Sequence, residues 1–175
     1  MSVWRRIIQG LTALTARVTD EERGFARQFL TPGEYLLFKR MGTAEQRHTL
    51  NVAQTALALA ERRGADARLA VRAALLHDVG KRAGDMSVFD KSVAVLADRF
   101  LPDARALARR GRGGRIDNLR HAFYVYYHHA AISAELVRAA GGEERLCRII
   151  ARHHAPPSPG DPPELDILRE ADALH

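Results

Sequence analysis

The chain carries one cysteine, Cys147, in 175 residues. That excludes an intramolecular disulfide and fits a cytoplasmic protein. Lysine is also scarce, at 3 of the 27 basic residues. The cationic groups are therefore almost all guanidinium, a planar donor suited to carboxylate and phosphate. No run approaches the roughly 18 apolar residues of a membrane span, so no membrane role is expected. No stretch alternates apolar and polar as a half-buried strand would. The opening "MSVWRRIIQGLTALTARV" is interrupted by Gln9, Thr12, Thr15 and Arg17 and shows no small-residue cleavage site. It reads as an amphipathic helix rather than an export signal. There is no internal repeat and no long linker.

What is present is a helical pattern. Apolar content is 46% and charged content 27%, ordinary for one globular domain with a sizeable core. Thr31-Pro32-Gly33-Glu34 sets a cap, a first-turn proline and a capping-box glutamate in order. Thr43 with Gln46 repeats the logic and opens a helix to about Arg63, closed by Gly64. Asp66 caps a helix through "ARLAVRAALLHD". Apart from Arg68 and Arg72 that helix is apolar nearly all round, which predicts a central, buried position. Gly80 and Gly84 break the chain. Further helices are predicted over Ser87–Phe100 (ended by Pro102), Asn118–Ala140, Glu143–Arg152 and Glu164–Leu174. "APPSPGDPP", Ala155 to Pro163, is neither helix nor central strand. The fold class is all-α: a helical extension over 1–42 and a helical domain over 43–175.

The formal net charge is +6, which suits an anionic ligand. From Arg99 to Arg120 there are seven arginines against two aspartates, a local balance of +5. Within it "RRGRGGR" is too rich in glycine and charge to pack and reads as a loop. Arg109, Arg110, Arg112 and Arg115 are candidates to close over a phosphate. Any one of them alone reads more readily as part of a solvated charge run.

The polar residues that need explaining are histidines and aspartates. "AALLHDVGK", Ala73 to Lys81, ends an apolar run in an imidazole and a carboxylate. Their burial is costly unless a cap, a salt bridge or a metal compensates them. Asp78 also opposes the helix dipole at that end, which favours a nearby cation. Neighbouring residues on a helix point about 100° apart, so His77 and Asp78 do not chelate one ion as an i, i+4 pair would and can instead present two faces to two metals, with the carboxylate bridging them. His48 lies on the helix opened near Thr43. His128-His129 lie on the Asn118–Ala140 helix, His153-His154 end the next, and Asp172 lies on the last. Taken singly, each is an ordinary satisfied side chain. Together they form an imidazole and carboxylate set suited to Zn, Fe, Mn, Co or Ni, with no thiolate required. Tyr124 and Tyr127, just before the His128-His129 pair, read as core packing.

The order His48, His77-Asp78, His129, His153-His154, Asp172 resembles the HD superfamily of metal-dependent phosphohydrolases. "HDVGK" resembles its signature, "HHAAISAEL" its HPxxGAxL segment, "ARHH" the element before the third ligand group, and "EADAL" the closing aspartate motif. The second registration selects His129 over His128 and puts Ser133 where the family usually has glycine. The resemblance covers about Thr43 to His175 and implies an all-α HD-domain bundle with two divalent transition-metal ions. His48, His77, Asp78 and Asp172 would hold one ion. Asp78 would bridge to a second, held by His129 and by His153 or His154, with His153 preferred. Lys81 would meet a substrate phosphate or orient a water. The implied reaction is hydrolysis of a phosphomonoester or phosphodiester, of a phosphorylated small molecule or nucleotide. The histidine pair lacks the longer element of cyclic-dinucleotide phosphodiesterases, and the chain is short beside the large deoxynucleotide triphosphohydrolases. The same ligand set supports di-iron oxygenases, and the arginine-glycine loop resembles segments that bind nucleic acid. Those are the alternative readings.

Overall fold

The computed structural model describes residues 17–81, 93, 97, 104–111 and 113–175. Among the described residues there are seven α-helices, one short 3-10 turn at Ala104–Leu107, and no β-strand. The helices are α1 (Asp20–Phe29), α2 (Pro32–Lys39), α3 (Thr43–Arg63), α4 (Ala67–Leu76), α5 (Arg115–Ala139), α6 (Glu144–Arg152) and α7 (Pro163–Leu174). The amphipathic helix expected at the N-terminus falls on residues outside those described, except that Arg17 and Val18 are not helical. The helix expected over Ser87–Phe100 also lies outside them, with its flanking breaks at Gly84 and Pro102. Val93 and Ala97 alone are described there, and both are helical.

Local chemistry sets the helix ends. Thr31 caps α2 with a complete capping box to Glu34, and Thr19 with Glu22 does the same for α1. Asp66 accepts the Leu69 N–H at 2.9 Å to start α4. Gly64 closes α3 at φ 65°, a left-handed turn that costs glycine nothing. One expected cap is replaced. The N-cap of α3 is Gly42, with no side-chain bond. Gln46 turns back instead, and its Nε2 donates to the Met41 carbonyl at 2.9 Å. The amide thereby satisfies the buried end of α2's exit rather than α3's own first turn. Helix α5 begins at Arg115, three residues before the expected Asn118, and α7 begins at Pro163, a favoured first-turn position.

Helix α4 is the axis of the fold. Leu69, Ala70, Val71, Ala73, Ala74, Leu75 and Leu76 are all buried. It packs against α3, α7, α6, α1 and α2. Burying each large aliphatic side chain contributes about 1.5–3 kcal/mol. Leu50, Leu75, Leu76, Leu146, Ile149, Ile150, Leu165, Ile167 and Leu168 are all fully buried in one cluster. The same cluster takes Ala26, Leu30, Leu37, Phe38 and Met41 from the segment before α3. The two arginines that interrupt α4's apolar surface fasten that segment. Arg68 donates to the Gln28 and Phe29 carbonyls. Arg72 bridges the fully buried Glu34 at 2.7 Å and Glu143 at 2.5 Å. Because α4 is central, its C-terminus opens into the middle of the bundle. The His77-Asp78 pair stands there.

Candidate metal centre

Four helices deliver side chains to the end of α4. His48 comes from the second turn of α3, His129 from the middle of α5, His153 and His154 from the end of α6, and Asp172 from the last turn of α7. His48 Nε2 lies 3.0 Å from Asp172 Oδ1 and 3.9 Å from Asp78 Oδ2. His77 Nε2 lies 3.6 Å from both Asp78 Oδ2 and Asp172 Oδ1. His129 Nε2 is 3.5 Å from Asp78 Oδ1 and 2.9 Å from His154 Nε2. Lys81 Nζ is 2.7 Å from one Asp78 oxygen and 2.8 Å from the other. The His153 ring lies between the two halves, its centroid 5.0 Å from that of His77 and 5.4 Å from that of His129.

Three of the imidazoles are oriented by the same device. Nδ1 of His77, His129 and His153 faces the carbonyl three residues earlier, of Ala74, Tyr126 and Ile150, at 2.8, 2.9 and 2.7 Å. A carbonyl only accepts, so each Nδ1 carries the proton and donates it. Each Nε2 is then left as a lone pair aimed into the cluster, the arrangement that fixes a metal-binding tautomer. Nε2 of His77 and of His153 is buried with no hydrogen-bond partner. Orphaned acceptors in a buried site are costly and call for an absent partner. A divalent cation meets that requirement with the nitrogen and oxygen donors present. His129, His153 and His154 form one trio of donor atoms within 4.8 Å of one another, and His48, His77 and Asp78 form another. The residues therefore fit two cations.

The electrostatics agree with a neutral ring at His129 and His153 and favour a proton at His77 while no cation is bound. Burial pushes the His129 imidazole down to about 3, with Lys81 and His154 adding to the effect. His153 is held well below the usual range by burial and by its neighbours His77 and His154. Both rings are neutral, so His154 Nε2–H is the donor to His129. Burial opposes the charge on Asp78, yet Lys81 and the surrounding imidazoles hold its carboxyl well below the ordinary carboxylate range. His77 shows the converse: the nearby carboxylates outweigh burial and raise it.

The structure sorts the predicted residues. His48, His77, Asp78, Lys81, His129, His153, His154 and Asp172 converge. His128 does not. It stacks on Tyr124 at 4.7 Å, and Tyr124 stacks on His121. Tyr127 packs in a small separate cluster with Phe123 and Ala97. His77 and Asp78 share one trio, and Asp78 also reaches the other half: its Oδ2 lies 3.6 Å from His77 Nε2 and its Oδ1 3.5 Å from His129 Nε2. His77 caps α4 with helical angles, φ −59° and ψ −28°, so the pair enters one trio without the backbone leaving the helical region at His77. His153 and His154, just past the end of α6, behave likewise. The arginine loop stays apart. Arg109, Arg110 and Arg115 are exposed and contact none of these residues among those described, while Arg112 lies outside them. The loop is fastened to the start of α5, with Arg109 N–H donating to the Arg120 carbonyl at 3.1 Å.

Gly80 is the residue whose structural weight the sequence reading missed. A Cβ there would sit 2.7 Å from the His129 carbonyl oxygen and 3.1 Å from the Ser133 nitrogen. Only glycine lets the turn after α4 lie directly on α5. An "HDVGK" glycine reads as a chain break in sequence, and nothing in one dimension says what it must pass.

This is an all-α domain organised around a buried histidine and aspartate centre suited to divalent cations. The HD domain family model matches residues 46–175, and the chain belongs to that family of metal-dependent phosphohydrolases. Searches of curated proteins and of solved structures each found no match. No helix among the described residues is long and apolar enough to cross a membrane.

Proposed function

We propose that the protein is a cytoplasmic phosphohydrolase that cleaves a phosphomonoester or phosphodiester, of a phosphorylated small molecule or nucleotide, at a dinuclear centre. The observation that carries this reading is the pair of orphaned, buried Nε2 atoms of His77 and His153, one in each half of the cluster. His48, His77, Asp78 and Asp172 would hold one ion, and His129, His153 and His154 the other, with Asp78 shared between them. When bound, such a pair lowers the pKa of coordinated water and offsets charge developing on a phosphoryl group. Iron or manganese suits the donors, as do zinc, cobalt and nickel.

The cluster has a floor and a rim. The side chains of His77, Asp78 and His129 are at most 5% exposed, whereas those of Lys81, Asp172 and His48 are 15%, 24% and 29% exposed. Lys81 offers a phosphate entering over this rim a cationic partner. The Lys81 ammonium already lies against the Asp78 carboxylate and can donate to a phosphoryl oxygen beside it. Arg109, Arg110, Arg112 and Arg115 would have to approach the centre from their separate loop to meet the remaining substrate charge.

Elemental analysis of the purified protein, with hydrolysis of p-nitrophenyl phosphate and bis-p-nitrophenyl phosphate, tests the proposal. The expected result is about two metal equivalents and metal-dependent hydrolysis, both lost in Asp78→Ala. A folded protein that takes up no metal on reconstitution overturns it. Metal-dependent oxygen consumption without ester cleavage would favour the oxygenase reading. Salt-sensitive nucleic-acid binding retained in Asp78→Ala would favour a binding module.

A further inference from the structure

We propose that Ser133 is a positioning residue that holds the two halves of the metal centre in register. This rests on the dinuclear reading above. The Gly80 N–H donates to Ser133 Oγ at 2.9 Å, across 53 residues of sequence. Both residues are buried, and Ser133 is fully so. Ser133 lies one helical turn after His129 on α5, and Gly80 lies two residues after Asp78. The bond therefore joins the turn that carries His77, Asp78 and Lys81 to the helix turn that carries His129.

The contact has no slack. The Gly80 α-carbon faces α5 so closely that a Cβ would be 2.7 Å from the His129 carbonyl and 3.0 Å from Ser133 Oγ. The turn also closes on itself, with Lys81 N–H donating to the Asp78 carbonyl at 2.8 Å. Moving the turn off α5 would lengthen the 3.5 Å separation between Asp78 Oδ1 and His129 Nε2. For Asp78 to serve both trios, its Oδ1 must stay beside His129 while its Oδ2 stays beside His77. Groups just behind a ligand commonly tune metal affinity in this way. A serine in the middle of a helix is otherwise a weak choice, because its hydroxyl competes with the backbone. Here the hydroxyl takes up a buried donor from another element.

The test is a Co²⁺ titration of the metal-free protein, followed by visible absorption, for wild type, Ser133→Ala and Ala134→Gly. The last variant loosens the same turn of α5 and keeps the hydroxyl. In Ser133→Ala, binding of the second ion is expected to weaken about tenfold, with the first changed less than about twofold. In Ala134→Gly the two affinities are expected to fall together or not at all. Unchanged affinities in Ser133→Ala, or an equal loss of both, would overturn the proposal and leave the dinuclear reading standing. A wild type that binds no cobalt would overturn both. Should Ser133→Ala fail to fold, hydrogen exchange on the wild type decides. The Gly80 amide is expected to be protected in the metal-free protein, and exchange at the rate of an open loop sinks the inference.

Discussion

Four pairs of adjacent polar residues behave in two different ways. In the middle of helices the pairs split. On α5, His129 enters the centre while His128 stacks on Tyr124. On α3, His48 faces Asp172 while Arg47 faces away to Glu22. Just past helix ends the pairs converge: His77 with Asp78 after α4, and His153 with His154 after α6. A helix holds neighbours about 100° apart, and His77 and His153 keep helical angles as the caps of α4 and α6, so what differs is that these helix ends are surrounded by partners on more than one side. In this centre the adjacent residues that share a trio stand at helix C-termini.

The sharpest break of this comparison is on α5. His129→Ala is expected to lower metal-dependent hydrolysis by at least about a hundredfold, and His128→Ala by no more than about twofold. Equal effects in kinetic assays would show that the helix does not separate the two roles. At the converged end of α6 the contrast should be weaker. His153→Ala and His154→Ala are both expected to reduce metal content on elemental analysis, His153 more, because its Nε2 is buried and that of His154 has His129 as a partner.

Next in size is the docking of the α4 turn. Gly80→Ala forces a Cβ against α5 backbone, and a loss of about 2 kcal/mol is expected in urea unfolding. An unperturbed midpoint would mean that the turn can step away from α5 without cost. The smallest effect belongs to the outward half of the α3 pair. The hydrogen bond from Arg47 holds the Glu22 carboxyl down to about 2 from 4.5, against a smaller opposing effect of burial. Its folded pKa is depressed, so its stabilisation is complete above about pH 4.5 and is lost as pH falls towards 2. At this partly exposed site the contribution is about 1 kcal/mol after screening. Melting curves of wild type and Glu22→Gln should differ most at pH 6 and approach one another as pH falls to 2 and below. A difference that persists at low pH would assign the effect to packing.

Much of the site was legible before any coordinates, because its residue types are expensive in a core. A histidine and an aspartate closing the apolar run of α4 demanded a compensating partner, and the histidines ending α6 repeated the demand. The helix boundaries marked by Thr31, Pro32, Gly64 and Asp66 were legible too, since capping is written in a few consecutive residues. Gly42 was not, because the glutamine three residues into α3 had a better use across the interface with α2. The roles of Gly80 and Ser133 were hidden for the same reason: a close approach between segments 53 residues apart has no local signature.

The sequence by itself determined an all-α chain, its central apolar helix, and the set of imidazoles and carboxylates that a cation would need. Those follow from periodicity, capping and the cost of burying polar groups, which act over a few residues at a time. Only the tertiary structure decided which neighbour of each pair faces inward, that both residues after α4 share one trio, and that the arginine loop stays apart from the centre among the described residues. Those depend on where each helix stops and on what packs across from it, distances that one dimension does not contain.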